Sequence, residues 1–169
     1  MIASAIQLFT RRGFDHATID EICEVANVAP RTFFRYFSTK EQIVLHDAHV
    51  YMDVFTNAIA TARASESARG TARRAMLAVA HEIEQRADEI RPRLALIRQS
   101  PVLITAWTRL DQFWRDSLTR LFERHDKPDA DVLAGALVGA LNAGLVRYVA
   151  NPKTGLAALA IRVLDVVKF

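Results

Sequence analysis

Cysteine, glycine and proline are scarce in this chain, and each scarcity excludes a class of protein. The 169 residues include one cysteine, Cys23, which excludes a disulfide framework and any all-cysteine metal site. Six glycines and five prolines leave few residues for turns, which favours helices. The longest apolar run, Val132 to Val146, is interrupted by Asn142 and is shorter than the ~20 residues that span a bilayer.

Apolar residues, by contrast, are plentiful. Hydrophobic residues make up 51% of the chain and charged residues 24%, which excludes a disordered or collagen-like protein. The formal net charge is only +3, so charge alone does not indicate a nucleic-acid partner. Residues 1–9 are apolar but lack a basic leader and a small-residue cleavage site. We therefore expect a cytoplasmic protein that does not associate with a membrane.

Three short helices are predicted within the first forty residues. An apolar stripe ends at Gly13, a typical residue just after a helix end. Thr18 to Glu21 has the form of a capping box that begins a second helix. Asn27 tolerates the left-handed backbone of a tight turn, and Pro30 suits the first position of a third helix. Two helices separated by three or four residues have the outline of a helix-turn-helix.

Longer helices are predicted for the rest of the chain. Ser38 to Glu41 has the form of a second capping box, from which a helix is predicted to extend to Ala62. Further helices are predicted at 68–87, at 94–99 between Pro92 and Pro101, from Leu103 to Leu121, at 129–150 and at 153–169. No strand-like alternation or internal repeat is present. The predicted fold class is all-α.

The third helix separates into two faces when it is plotted at 100° per residue. Phe33 and Phe37 lie together and should face the core, with Arg31 and Arg35 roughly opposite and Thr32, Phe34 and Tyr36 on the flanks. An arginine in the major groove can pair with guanine, and a threonine can contact a base edge or a thymine methyl group. Two exposed arginines on an isolated helix are more simply a solvated surface. Here they coincide with two capped helices and a tight turn.

These residues together resemble the DNA-binding domain of the tetracycline-repressor (TetR) family over about residues 1 to 45. The resemblance is carried by Phe9, Gly13, the run from Thr18 to Ile22 and the run from Thr32 to Glu41. It implies an N-terminal helix-turn-helix DNA-binding domain at 1–45 and a helical regulatory and dimerisation domain at 46–169. The sequence departs from the usual pattern at three positions: Asn27 replaces a glycine, Ala29 a capping serine, and Phe34 a tyrosine.

The resemblance also implies a function and a set of DNA contacts. It implies a homodimeric transcriptional regulator, a repressor that a small molecule releases from a palindromic operator on double-stranded DNA. By position, the implied phosphate contacts are Thr18, Tyr36 and Lys40. The implied base contacts are Pro30, Arg31, Thr32 and Arg35.

The C-terminal helices are expected to form the dimer and to bind the effector. The helices predicted at 129–150 and 153–169 are the candidates for dimerisation, although burial within one subunit would explain their apolar character equally. The candidate pocket residues are Phe55, Trp107, Phe113, Trp114 and Phe122, which favour a lipophilic ligand. Arg91, Arg93 and Arg98 could hold an acidic head group. The alternative for the aromatic residues is that they belong to the core. The alternative for the three arginines is that they lie on a solvated helix face.

Catalytic patterns are weak in this sequence. His46 and His49 form a possible metal pair, but no third ligand is evident. Cys23 falls on a core-facing helix position, which does not suit a nucleophile. We therefore expect no enzyme activity, no catalytic residue, no metal site and no cofactor. The alternative is a helical small-molecule-binding protein or enzyme without sequence-specific DNA binding.

Overall fold

The computed structural model describes residues 1–151 and 153–166, and those residues form ten helices and no strands. The all-α prediction is confirmed. The helices are α1 (Ile2–Arg12), α2 (Ile19–Val25), α3 (Pro30–Tyr36), α4 (Glu41–Val44), α5 (Ala48–Ala60), α6 (Ala68–Gln85), α7 (Ala87–Ile97), α8 (Pro101–Glu123), α9 (Ala130–Ala150) and α10 (Leu156–Val166).

The helices group into two compact units. The first unit contains residues 1–46 and 88–108, and the second contains 47–87 together with the described residues from 109 onward. The boundary therefore falls once in the connection before α5, once after the first residue of α7 and once inside α8. A domain boundary after residue 45 remains a prediction.

Local signals build the first unit as the sequence predicts. The helix α1 ends at Gly13, whose φ of 84° is a conformation that residues with a side chain rarely adopt. Thr18 caps α2 through a complete capping box with Glu21, and Asn27 takes a positive φ of 51° in the turn that follows. Pro30 is the first residue of α3. These four predictions are confirmed.

The prediction of one long helix that begins at the Ser38 capping box and extends to Ala62 is wrong. Lys40, not Ser38, precedes α4, and it provides no side-chain cap. The Ser38 amide instead donates to Gln42 Oε1 at 2.7 Å. The helix then breaks at residues 45–47, where Asp47 is buried and pairs with Arg86 Nη2 at 2.9 Å. The chain restarts as α5 at Ala48, immediately after this pair.

The second unit is a set of packed helices in which α6 contacts both α5 and α10, and α10 contacts α9. Its core combines aromatic and long aliphatic side chains with many alanines. The buried residues include Phe55, Met76, Leu118, Leu121, Phe122, Leu137, Leu164 and six alanines on α5, α6 and α9. The small side chains allow close helix packing around a few large ones.

Two other helix predictions need correction. Pro92 lies inside α7 and does not precede it. A proline inside a helix loses the hydrogen bond of its own nitrogen and crowds the carbonyl four residues earlier, yet the buried residues Ile90, Leu96 and Ile97 continue the helix on both sides. The last helix begins at Leu156, three residues later than predicted. Its predicted end at residues 167–169 lies outside the described part of the chain.

One described helix, α9, is long and apolar enough to cross a bilayer by length and composition alone. The core helix of a protein outside the membrane meets the same test, so this is weak evidence for a membrane span.

Candidate nucleic-acid interface

The helix α3 has a buried face and an exposed face, as its pattern predicts. Phe33 is completely buried and Phe37 is 5% exposed, and they pack against α1, α2 and α4 in the core of the first unit. Arg31 and Arg35 are exposed and Thr32 is half-buried. The burial of the two phenylalanines therefore sets which side of α3 is presented to solvent.

Arg35 and Tyr36 interact on this exposed face. Arg35 Nη2 donates to Tyr36 Oη at 3.2 Å, and the guanidinium carbon lies 4.8 Å from the centre of the tyrosine ring. This stacking restricts the guanidinium before any ligand binds. The tyrosine hydroxyl accepts that bond and keeps its own proton available for an acceptor such as a phosphate oxygen.

The predicted phosphate contact Thr18 lies at the start of α2. Its hydroxyl accepts from the Glu21 amide at 3.2 Å, and its own amide donates to Glu21 Oε2 at 2.9 Å. Arg12 also binds this carboxylate. Donation from the Thr18 amide is the main reason that the pKa of Glu21 lies below its usual value. The Thr18 amide therefore already has an acidic acceptor in this structure.

The ammonium of Lys40 is directed into the protein. Its Nζ donates to the carbonyl oxygens of Phe14 at 2.8 Å, Asp15 at 3.2 Å and Ala17 at 2.9 Å, and it lies 4.6 Å from the centre of the Phe14 ring. An ammonium has three protons, and here three carbonyls accept them. The predicted phosphate contact stays a prediction, and it now competes with an internal role that joins the start of α4 to the α1–α2 loop.

The same loop has a second anchor that sequence reasoning missed. Ser100, which is completely buried, donates its hydroxyl to Asp15 Oδ1 at 2.6 Å. Its oxygen also lies 3.4 Å from the Leu103 amide in the first turn of α8. Asp15 and Ser100 are separated by 85 residues, so no local pattern connects them. The only sequence signal is the serine immediately before Pro101, a typical position for a helix cap.

The predicted pocket residues fall into both units. Phe55 and Phe122 are buried in the second unit at 2% and 0% exposure, and Trp114 is half-buried beside them. The Trp114 ring packs edge-on against Phe55 at 4.9 Å and against Phe113 at 5.3 Å. Trp107 packs against the core of the first unit instead. The structure brings Phe55, Phe113 and Trp114 together, and whether they bind a ligand stays a prediction.

The remaining candidates take different positions. Arg98 is exposed, Arg91 is half-buried and Arg93 is only 8% exposed, so a solvated helix face does not describe Arg93. Cys23 is buried, and burial raises the pKa of its thiol. Within residues 1–151 and 153–166 no group of three or more potential ligands, including His46 and His49, could hold a metal ion.

A polar pair inside the second unit also escaped the sequence reasoning. Asn142 Nδ2 on α9 donates to Asp111 Oδ2 on α8 at 2.8 Å. Burial raises the pKa of the Asp111 carboxyl, against the opposing effects of this hydrogen bond and of the Arg115 charge. The sequence gives no sign of this pair beyond the interruption of an apolar run by Asn142.

The geometry of residues 18–36 defines a class of protein. A capped helix, a tight turn and a second helix with an exposed basic and aromatic face form a helix-turn-helix of the DNA-binding type. Residues 1–46 match the family model described as "Bacterial regulatory proteins, tetR family". This N-terminal region is therefore similar to the DNA-binding domain of TetR-family regulators, and the resemblance inferred from its motifs is confirmed.

Relatives and solved structures extend this similarity beyond the first unit. The chain is 28% identical over 137 residues to the HTH-type transcriptional regulator TcmR of Streptomyces glaucescens, covering 78% of this chain and 61% of that protein. It thus spans less than two thirds of the length of this relative. The fold matches FadR of Bacillus halodurans with a TM-score of 0.75 at 17% identity, covering 98% and 95% of the two chains. It also matches Thermus thermophilus FadR in complex with lauroyl-CoA, with a TM-score of 0.68 at 20% identity and 98% and 90% coverage.

Proposed function

We propose that this protein is a cytoplasmic repressor that binds a palindromic operator as a homodimer and releases it when a lipophilic small molecule binds. The observation that carries the proposal is the division of α3, with Phe33 and Phe37 buried and Arg31, Arg35 and Tyr36 exposed. In this assignment the N-terminal 45 residues bind DNA, and the helices after them dimerise and bind the effector.

The proposed base contacts are Pro30, Arg31, Thr32 and Arg35, and the proposed phosphate contacts are Thr18, Tyr36 and Lys40. A guanidinium can form two parallel hydrogen bonds with guanine, which discriminates between bases by about 1–3 kcal/mol. Phosphate contacts position the protein without reading sequence. Arginine and threonine on α3 therefore supply specificity, and the flanking residues supply affinity.

An exposed apolar stripe on α9 supports dimerisation. Val132 is 64% exposed, and Ala136, Gly139 and Ala143 follow it at spacings of three or four residues, all exposed. A Cβ atom at Gly139 would meet no neighbouring atom within 4 Å. A second copy of the chain would cover this thin, apolar stripe and remove it from water. Its partner is proposed to be the same stripe, which makes the interface isologous.

The effector is proposed to bind among the aromatic side chains of the second unit. Phe55, Phe113 and Trp114 offer ring surfaces, and the neighbouring core consists of alanines and aliphatic residues. Such a lining suits an apolar ligand, and the similar structure from Thermus thermophilus holds lauroyl-CoA. Two recognition helices must lie ~34–36 Å apart to enter successive major grooves. A ligand that prefers another spacing shifts the population away from DNA.

Recovery of bound fragments from genomic DNA, followed by gel shift, tests the proposal. The protein should bind one palindromic sequence at physiological salt as a dimer, and Arg31→Ala should lose discrimination between that operator and a scrambled duplex. Arg124→Ala, which removes an exposed arginine immediately after α8, is the matched control and should bind both duplexes unchanged. Binding of both duplexes with equal affinity by the unmodified protein would contradict the proposal.

A further inference from the structure

Phe34 is the one phenylalanine of α3 that lies outside the core. It is 56% exposed, whereas Phe33 and Phe37 are 0% and 5% exposed. Its ring approaches Phe33 edge-on, with 5.3 Å between ring centres. A phenyl ring in this position contributes little to folding because most of its surface stays in water.

The position of Phe34 on the helix places it beside the proposed base-reading residues. At 100° per residue, Phe34 lies about 60° from Arg31, on the opposite flank from Thr32 and Tyr36. Its ring therefore extends the outward face next to Arg31, away from the Arg35–Tyr36 pair. A helix seated in the major groove with Arg31 on a base edge carries the Phe34 ring into the groove as well.

The chemistry of the groove limits what this ring can contact. A phenyl group has no hydrogen to donate to a phosphate, and the thymine C5-methyl is the apolar group that base edges present in the major groove. We propose that Phe34 is a specificity-determining residue that packs against a thymine methyl in each half of the operator. This inference rests on the proposed function, because it requires a duplex bound along α3.

The contact with Phe33 prepares the ring for this role. Phe33 is held completely buried, so an edge-on neighbour restricts the motion of the Phe34 ring about its two side-chain torsions. Less conformational entropy is then lost when the ring meets a base. Packing one methyl group against the ring is worth roughly a fourfold change in affinity, the value of burying a single methyl.

Replacement of thymine by deoxyuridine tests the proposal, because it removes the methyl group and leaves every hydrogen-bonding group in place. The operator is selected from a random duplex pool with the full chain, and its thymines are then replaced one position at a time. Affinities are measured for the unmodified protein and for Phe34→Ala. Ile104→Ala, which removes an exposed apolar side chain from α8 of the same unit, is the control.

At one thymine position in each half of the operator, loss of the methyl group should weaken binding roughly fourfold. This loss is expected for both the unmodified protein and Ile104→Ala. Phe34→Ala should bind the thymine and deoxyuridine duplexes equally. The inference is overturned if no replacement affects the unmodified protein, or if Phe34→Ala keeps the same methyl sensitivity. Equal weakening of Phe34→Ala on every duplex would overturn it too, by assigning the ring to the sugar-phosphate backbone. Failure to select any sequence would instead refute the proposed function, and this inference with it.

Discussion

The two units differ in where the information for their structure lies. In the first unit, short signals such as the Thr18 capping box, Asn27 and Pro30 specify where each helix begins or turns. In the second unit, the apolar patterns predict long helices, but no comparable pattern predicts which helices pack against each other. The contrast shows why the DNA-binding region resembles its family residue by residue, whereas the rest resembles it chiefly in fold.

The physical basis of this difference is the number of side-chain combinations that are compatible with each unit's helix packing. A helix-turn-helix must hold α3 at one angle, so its caps and turn residues have few substitutes. Helices of a bundle pack acceptably with many combinations of apolar residues, provided that volume and pattern are kept. We therefore expect the first unit to be sensitive to single side chains that the second unit would tolerate.

The largest expected effect is the loss of stability when a buried phenylalanine is removed from either core. Phe33 of the first unit and Phe122 of the second are both completely buried, and replacement of either by alanine should lower the free energy of unfolding by about 3–5 kcal/mol. Urea denaturation followed by circular dichroism measures this change. Phe34→Ala, at the exposed neighbour, should cost less than about 1 kcal/mol.

Only the first of these two core variants should lose sequence discrimination under conditions where both remain folded, because Phe33 orients α3. Similar loss in Phe122→Ala would show that the contrast between the units does not hold.

An intermediate effect is expected at Lys40 and separates its two possible roles. Lys40→Met keeps the aliphatic stem but leaves the carbonyls of Phe14, Asp15 and Ala17 without their donor. The loss of these charged hydrogen bonds should lower the free energy of unfolding by about 2 kcal/mol. Thermal and urea denaturation of the variant measure this change.

Salt dependence of operator binding gives the second measurement on the same variant. If Lys40 acts only within the protein, the slope of log K against log salt should be unchanged. A slope that is shallower by about 0.9 for each phosphate that Lys40 neutralises, with little change in stability, would restore the direct DNA contact predicted from the sequence. Tyr36→Phe serves as the comparison, since it removes an exposed hydroxyl without removing a charge.

The internal hydrogen bonds of Lys40 illustrate what the sequence could not predict. Helix class, the capping box at Thr18 and the two faces of α3 follow from neighbours along the chain, and all are present in the structure. The anchors of the α1–α2 loop join residues that are 23 to 85 positions apart. Asp47, in the break before α5, pairs with Arg86, 39 residues away. Nothing in the local pattern specifies such pairs, because they exist only after the helices have packed.

The smallest expected effect probes the polar pair between α8 and α9. Because burial raises the pKa of Asp111 above its ordinary value of 3.8, the folded state binds a proton more tightly than the unfolded state, and the charged carboxylate opposes folding at neutral pH. Asp111→Asn removes that charge, and the new amide oxygen can still accept from Asn142. The variant should therefore be more stable at pH 7, by less than about 1 kcal/mol since the group is partly exposed.

The pH dependence of this gain distinguishes a charge effect from a change in packing. As the pH falls through the raised pKa and below 3.8, Asp111 becomes neutral in both states, so the advantage of Asp111→Asn should shrink toward zero. Melting temperatures at pH 7 and near pH 3 measure it, with an expected rise at pH 7 of no more than about 3 °C. A variant that is less stable at pH 7 would show that the charge is favoured through Arg115. The second unit would then depend on a specific ion pair, as the first unit depends on Lys40.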